Sequence, residues 1–168
     1  TTYSPANGLT LGLSGSYLNS KITSFIGRDT AGGVKDYAGS VIPYTPKYQM
    51  RLSADYKWKI GNAEPFVGIV YSVRSKALAN IGGDLGLVVT PDFRSSVPVN
   101  KTYTIDGYGL FDVRAGASFN DGQWSVMLFG KNVFDKYYVT NVFTDYDTIA
   151  RFAGQPATYG VTVSFKMR

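Results

Sequence analysis

The sequence contains no cysteine and no histidine. Without cysteine there is no disulfide framework, no thiolate metal ligand and no thiol nucleophile. Without histidine the commonest general base, the Ser-His-Asp arrangement and the usual zinc sites are excluded. No cofactor, metal or catalytic constellation is expected, so the chain is not read as an enzyme. Gly82-Gly83 lacks the lysine-serine continuation of a phosphate loop. Long apolar runs are also missing. The longest, Leu85 to Val89, falls far short of the roughly 18 residues that a membrane-spanning helix needs. Basic charge is in mild excess, net +5, but scattered, so a nucleic-acid-binding face is not expected. Thr1-Thr2-Tyr3-Ser4-Pro5 has neither the basic start nor the apolar core of a secretion signal. The expectation is a chain whose signal was removed, or one that begins inside something larger.

What is abundant is aromatic and β-forming. Aromatics make up 15% of 168 residues, which suits one domain of ordinary size and not a disordered tail. The dominant pattern has period two. From Lys47 to Ile60 one parity reads Tyr48, Met50, Leu52, Ala54, Tyr56, Trp58, Ile60. The other reads Lys47, Gln49, Arg51, Ser53, Asp55, Lys57, Lys59. That alternation predicts a long strand with one face out of water and the other in it. Similar alternation covers Leu9–Tyr17, Pro65–Val73, Tyr103–Phe119, Trp124–Phe134 and Tyr159–Met167, giving six expected strands.

The connections are lopsided. Gly61-Asn62-Ala63-Glu64 and Asn120-Asp121-Gly122-Gln123 predict short turns, the second with the Asp-Gly pair of tight hairpins. Ser20–Pro43, Arg74–Lys101 and Lys131–Ala157 are long loops. Antiparallel strands then place all short turns at one end and all long loops at the other, as in outer-membrane barrels. Aromatics on the apolar parity gather at both ends. Trp58, Phe119, Trp124 and Phe165 lie toward the short turns. Tyr17, Tyr48, Tyr71, Tyr103, Phe134 and Tyr159 lie toward the loops. Such belts mark the two membrane interfaces. Tyr48 and Trp58 are ten residues apart, about 23 Å of height at roughly 45° tilt, close to the ~25 Å apolar band. The expected fold class is all-β, an antiparallel transmembrane β-barrel segment. Six strands do not close a barrel, which needs about eight. Open edges in lipid cost several kcal/mol per unsatisfied backbone group. The segment is therefore expected to belong to a larger barrel.

Four stretches carry a family likeness. GKNVFDKYYVTNVF (Gly130 to Phe143) and RFAGQPATYGVTVSF (Arg151 to Phe165) resemble the C-terminal region of TonB-dependent receptors of Gram-negative outer membranes. PYTPKYQ (Pro43 to Gln49) and DGYGLFDVRAG (Asp106 to Gly116) resemble descending strands of that family. The resemblance implies a barrel of about 22 strands around an N-terminal plug, with residues 1–168 as the last part of the barrel. It implies capture of scarce nutrients, often ferric siderophores, with uptake driven by TonB through a plug and TonB box that are absent here. The implied partners are the N-terminal barrel strands and plug, TonB, lipopolysaccharide and outer-membrane lipid, and a small-molecule ligand. Two positions depart from the family pattern. Ala157 stands where arginine is common, and Met167-Arg168 stands where the family ends in an aromatic. The alternation puts a next residue on the lipid face, so a terminal aromatic is expected to follow.

Arg51, Asp55, Lys57, Asp112 and Arg114 share the water-facing parity and point into the lumen. The favoured reading is that they brace the wall through ion pairs. The functional reading is ligand or plug contact, with Arg51, Asp112 and Arg114 as candidates. In the loops, Tyr138, Asp145, Tyr146 and Asp147 are further candidates, and TDYDT has oxygen donors but too few carboxylates for a metal site. Tyr37, Phe93, Tyr137 and Phe143 either grip a ligand or pack the loops together. Asn132, Asp135 and Lys136 are read as a structural turn. The mildly basic wall fits anionic ligands, lipopolysaccharide or plug docking equally. The alternative function is the wall of a passive porin-like channel, or a small self-associating barrel.

Overall fold

The computed structural model describes residues 1–28, 32–85, 102–145 and 148–167, with backbone alone for Leu85, Thr144 and Asp145. β1 (Thr2–Ala6) and β2 (Leu9–Tyr17) form a first hairpin. A small hairpin, β3 (Ile26–Arg28) and β4 (Val34–Asp36), stands in the loop that follows. β5 (Tyr48–Lys57) and β6 (Ala63–Arg74) return through the wall. The short strands β7 (Ala77–Leu78) and β8 (Thr104–Ile105) pair with each other in the second loop. β9 (Tyr108–Phe119) and β10 (Trp124–Lys131) form the next hairpin. β11 (Val139–Asp145) and β12 (Thr148–Ala153) form a hairpin in the third loop, and β13 (Thr158–Phe165) ends the wall.

The wall is a single antiparallel sheet of seven strands, in the order β1-β2-β5-β6-β9-β10-β13. The expected six strands thus become seven. β1 escaped the pattern because it is short and irregular. Its register shifts between Tyr3 and Ala6, and Pro5, which has no N–H to give, falls inside that shift. The turn to β2 is Asn7-Gly8, with Gly8 in the left-handed region at φ 81°. The three short turns share one end, as expected.

Residues opposite one another on neighbouring strands share a face. Leu11, Ala54, Ile69, Val113, Gly130 and Tyr159 form one continuous row across six strands. Its face is apolar yet open: Leu13 is 50% exposed, Leu128 57% and Val161 61%. A water-soluble protein does not leave such a patch uncovered. At the short-turn edge Phe119, Trp124 and Phe165 stand directly opposite one another, with the Trp124 and Phe165 rings 4.3 Å apart. Trp58 stacks on Tyr56 at 5.3 Å. Tyr17 and Tyr48 face each other at the loop edge.

Two aromatics depart from the expected belt. Tyr103 is 1% exposed and lies in the loops, because β8 pairs with β7 and leaves the wall before β9 begins at Tyr108. Phe134 lies past β10, which stops at Lys131 because Asn132 turns into the left-handed region at φ 48°. Its exposed ring meets Phe111 at 5.5 Å. The best-buried apolar residues, Tyr37, Ala77, Tyr103, Ile105 and Val142, all sit in the loop end and none on a wall strand.

Candidate functional site

The other face of the wall is polar, and its chemistry depends on which side chains are small. Thr10, Asp55, Gly68, Arg114, Phe129 and Gly160 form one row. Asp55 on β5 and Arg114 on β9 are separated by β6, which presents only Gly68 between them. Through that gap Arg114 donates from Nε at 3.2 Å and Nη2 at 2.7 Å to Asp55 Oδ1. A Cβ on Gly68 would collide with both partners. The same device recurs beside it, where the Phe129 ring covers Gly160. Arg114 and Asp55 keep 51% and 31% of their side chains exposed, so water screens the pair. Arg114→Met is expected to destabilise the wall by less than about 1 kcal/mol. Gly68→Val forces two side chains aside and is expected to cost more, about 1–3 kcal/mol. Urea unfolding in lipid vesicles checks the order, and the reverse order would remove Gly68 as the reason for the pairing.

Asp112 does not pair with Arg114. It accepts the Asn132 N–H at 2.9 Å and so caps the end of β10. Asn132 is 3% exposed and fully engaged. Its Nδ2 donates to the carbonyls of Lys136 and Gln155, both at 3.0 Å. Its Oδ1 accepts Lys136 N–H at 2.9 Å. Asp135 then accepts Ala157 N–H at 2.9 Å, and Tyr159 Oη donates to the Val133 carbonyl at 3.1 Å. This segment is a clasp joining the top of β10 to the start of β13. Ala157 takes part through its backbone, so the departure from arginine leaves the clasp intact.

Toward the loop end the polar face opens into a concavity of about 560 Å³, lined by Ser14, Gln49, Arg51, Ser72, Arg74 and Tyr108 among others. Arg51 also borders a smaller one of about 250 Å³ with Asp55, Asp112, Arg114 and Lys131. Arg74 lies over the Tyr108 ring, 5.5 Å from its centroid. Its Nε is buried with no hydrogen-bond partner among the described residues. The Tyr108 ring in turn meets Tyr138 at 4.3 Å. Tyr138 is fixed from behind: its ring covers Gly154 and its hydroxyl accepts Gln155 N–H at 3.1 Å. Arg51, Arg74, Tyr108 and Tyr138 thus give this end of the face a cationic and aromatic character.

Of the sequence candidates, Arg51 lines this concavity, Tyr138 adds to the ring shelf, and Asp112 and Arg114 belong to the wall's own bonding. The backbone of Asp145 ends β11. Tyr146, Asp147 and Phe93 lie outside the described residues. Tyr37 is buried against Phe25, with ring centroids 5.7 Å apart, whereas Tyr137 and Phe143 are exposed. Arg74 and Tyr108 went unnoticed in the sequence. Arg74 stands on the polar parity of its strand, but its partner Tyr108 sits where an apolar ring breaks the alternation.

A one-sided antiparallel wall, with short turns at one end and long loops at the other, is the architecture of a transmembrane β-barrel segment. The chain belongs to the TonB-dependent receptor family: residues 2–133 match the family model described as TonB dependent receptor-like, beta-barrel. The fold agrees with solved receptors. The ferric yersiniabactin uptake receptor of Yersinia pestis superposes with a TM-score of 0.68 at 11% identity, over 96% of this chain and 21% of that one. The siderophore receptor PiuA of Acinetobacter baumannii gives 0.66 at 20% identity, over 98% and 20%. The ferric preacinetobactin receptor of the same organism gives 0.61 at 21% identity, over 98% and 20%. The chain spans about a fifth of the length of these receptors. No protein of curated function matches the sequence. In this fold the apolar face meets lipid, the polar face lines the lumen, the short turns face the periplasm and the loops face the cell exterior.

Proposed function

We propose that residues 1–168 form the C-terminal wall of an outer-membrane receptor that imports an anionic ferric siderophore. The plug and the TonB box lie in other parts of the same receptor, and TonB supplies the energy. The outer face contacts outer-membrane lipid and lipopolysaccharide, and the polar face meets the plug and the ligand. The observation that carries the reading is the concavity at the loop end of the lumen face. There Arg51 and Arg74 both line the concavity, and the Arg74 guanidinium lies over the Tyr108 ring. Guanidinium donors match carboxylate and catecholate oxygens, and rings stack on planar chelating groups. Solved structures of the same fold, described as a ferric yersiniabactin uptake receptor and a ferric preacinetobactin receptor, support it.

The test is growth of an iron-restricted Gram-negative host that lacks its own siderophore receptors and carries the full receptor. A panel of ferric siderophores is supplied, with and without TonB. Growth with at least one anionic member, lost without TonB, is expected. Replacing Arg51 and Arg74 together with alanine is expected to weaken that siderophore's binding by about tenfold or more. Growth independent of TonB would replace this reading with a passive channel.

A further inference from the structure

Long loops follow β2 (residues 18–47), β6 (75–107) and β10 (132–157). Their described parts are tied to one another. Ser40 is fully buried, donates to Asp84 Oδ1 at 2.7 Å and accepts Gly82 N–H at 2.8 Å, joining the first loop to the second. Asp84 Oδ2 accepts Val41 N–H at 3.1 Å in the same junction. Arg151 donates to the Thr102 carbonyl at 3.0 Å, joining the third loop to the second.

Tyr44 touches all three. It belongs to the first loop, and its N–H donates to the Leu78 carbonyl of the second at 2.7 Å. Its hydroxyl lies 2.7 Å from Asn141 Oδ1 and 3.2 Å from the Val142 carbonyl of the third, sharing its one proton between them. Tyr44 also holds φ at 57°, a conformation that bulky residues rarely adopt. Such a conformation persists only where the surroundings over-determine it.

We infer that the described parts of the three loops form one interlocked cap, pinned by Tyr44, which loosens as a single cooperative unit and not loop by loop. Among the described residues the buried apolar side chains, Tyr37, Ala77, Tyr103, Ile105 and Val142, are those of this cap, so it has a small core of its own. Moving any one loop alone breaks a bond at Tyr44, and moving the first or second also breaks the Ser40 junction.

Hydrogen exchange followed by mass spectrometry on the full receptor in detergent tests this without any ligand. Tyr44→Phe removes only the hydroxyl. It is expected to speed exchange in β11 and β12, and also in β7 and β8, by about fivefold or more. The wall strands β5, β6 and β9 stay unchanged and report that the barrel is folded. Ser40→Ala is the decisive arm, since the bonds of Ser40 among the described residues lie within the first two loops. In one cap it accelerates β11 and β12 as well. Acceleration confined to residues near 40 and 84, or no change from Tyr44→Phe, would show independent loops and overturn the inference. Either outcome leaves the TonB-dependent growth test untouched, so the two proposals fail separately.

Discussion

Asn132→Ala is expected to destabilise the folded wall by about 3–5 kcal/mol, the largest loss from any single side chain in the clasp. The substitution strips three side-chain hydrogen bonds at once, two donated and one accepted. It leaves the carbonyls of Lys136 and Gln155 and the N–H of Lys136 without their partner, and each such part-buried group costs about 1–3 kcal/mol unless water reaches it. A second effect adds to the first. Asn132 sits at φ 48°, where alanine is disfavoured by roughly 1–2 kcal/mol and asparagine is tolerated. Asn132→Gly separates the two effects, since it removes the bonds and relieves the backbone. It is expected to be about 1 kcal/mol less damaging than alanine. Urea titration in lipid vesicles, read by the fluorescence of Trp58 and Trp124, measures all three proteins. A loss below about 1 kcal/mol for the alanine variant would mean that β10 and β13 find their register without the clasp.

The second large effect lies on the opposite face. Val113→Arg is expected to cost about 2–4 kcal/mol, the range for arginine at the bilayer midplane of a barrel. Val113 is near the middle of β9, flanked by Ile69 on β6 and Gly130 on β10, so no neighbour offers a counter-charge. Ser118→Arg is the matched control. Ser118 is on the polar face of the same strand, near its periplasmic end, directly opposite Glu64 and Ser125. There the guanidinium meets water and a carboxylate, and the expected loss is under about 1 kcal/mol. Equal losses for the two arginines would invert or abolish the assignment of lipid and lumen faces.

Much of the wall was legible along the chain. The parity that puts Tyr48, Leu52 and Tyr56 on one face and Arg51 and Asp55 on the other is the parity of the folded strand. The short turns at Gly61-Asn62 and Asp121-Gly122 close the hairpins they predict. Where local signals were absent the reading stopped short. β1 lacks clean alternation because of its bulge. Tyr103 has the right spacing for a wall strand, but the chain leaves the wall at that point, and spacing does not record a departure. The turn reading of Asn132, Asp135 and Lys136 came from a motif, whereas their partners Gln155 and Ala157 emerged only in three dimensions.

The sequence by itself determined which residues face lipid and which face the lumen, and at which end the loops lie. Those properties depend on period two and on turn residues, which are local. Tertiary structure decided which distant groups meet. Arg114 reaches Asp55, 59 positions away, because Gly68 on the strand between them has no side chain. Tyr44 bonds to Asn141, 97 positions away, because the loops fold back over one another. Pairing of this kind follows from sheet register and loop packing, which many residues set together and no short stretch encodes.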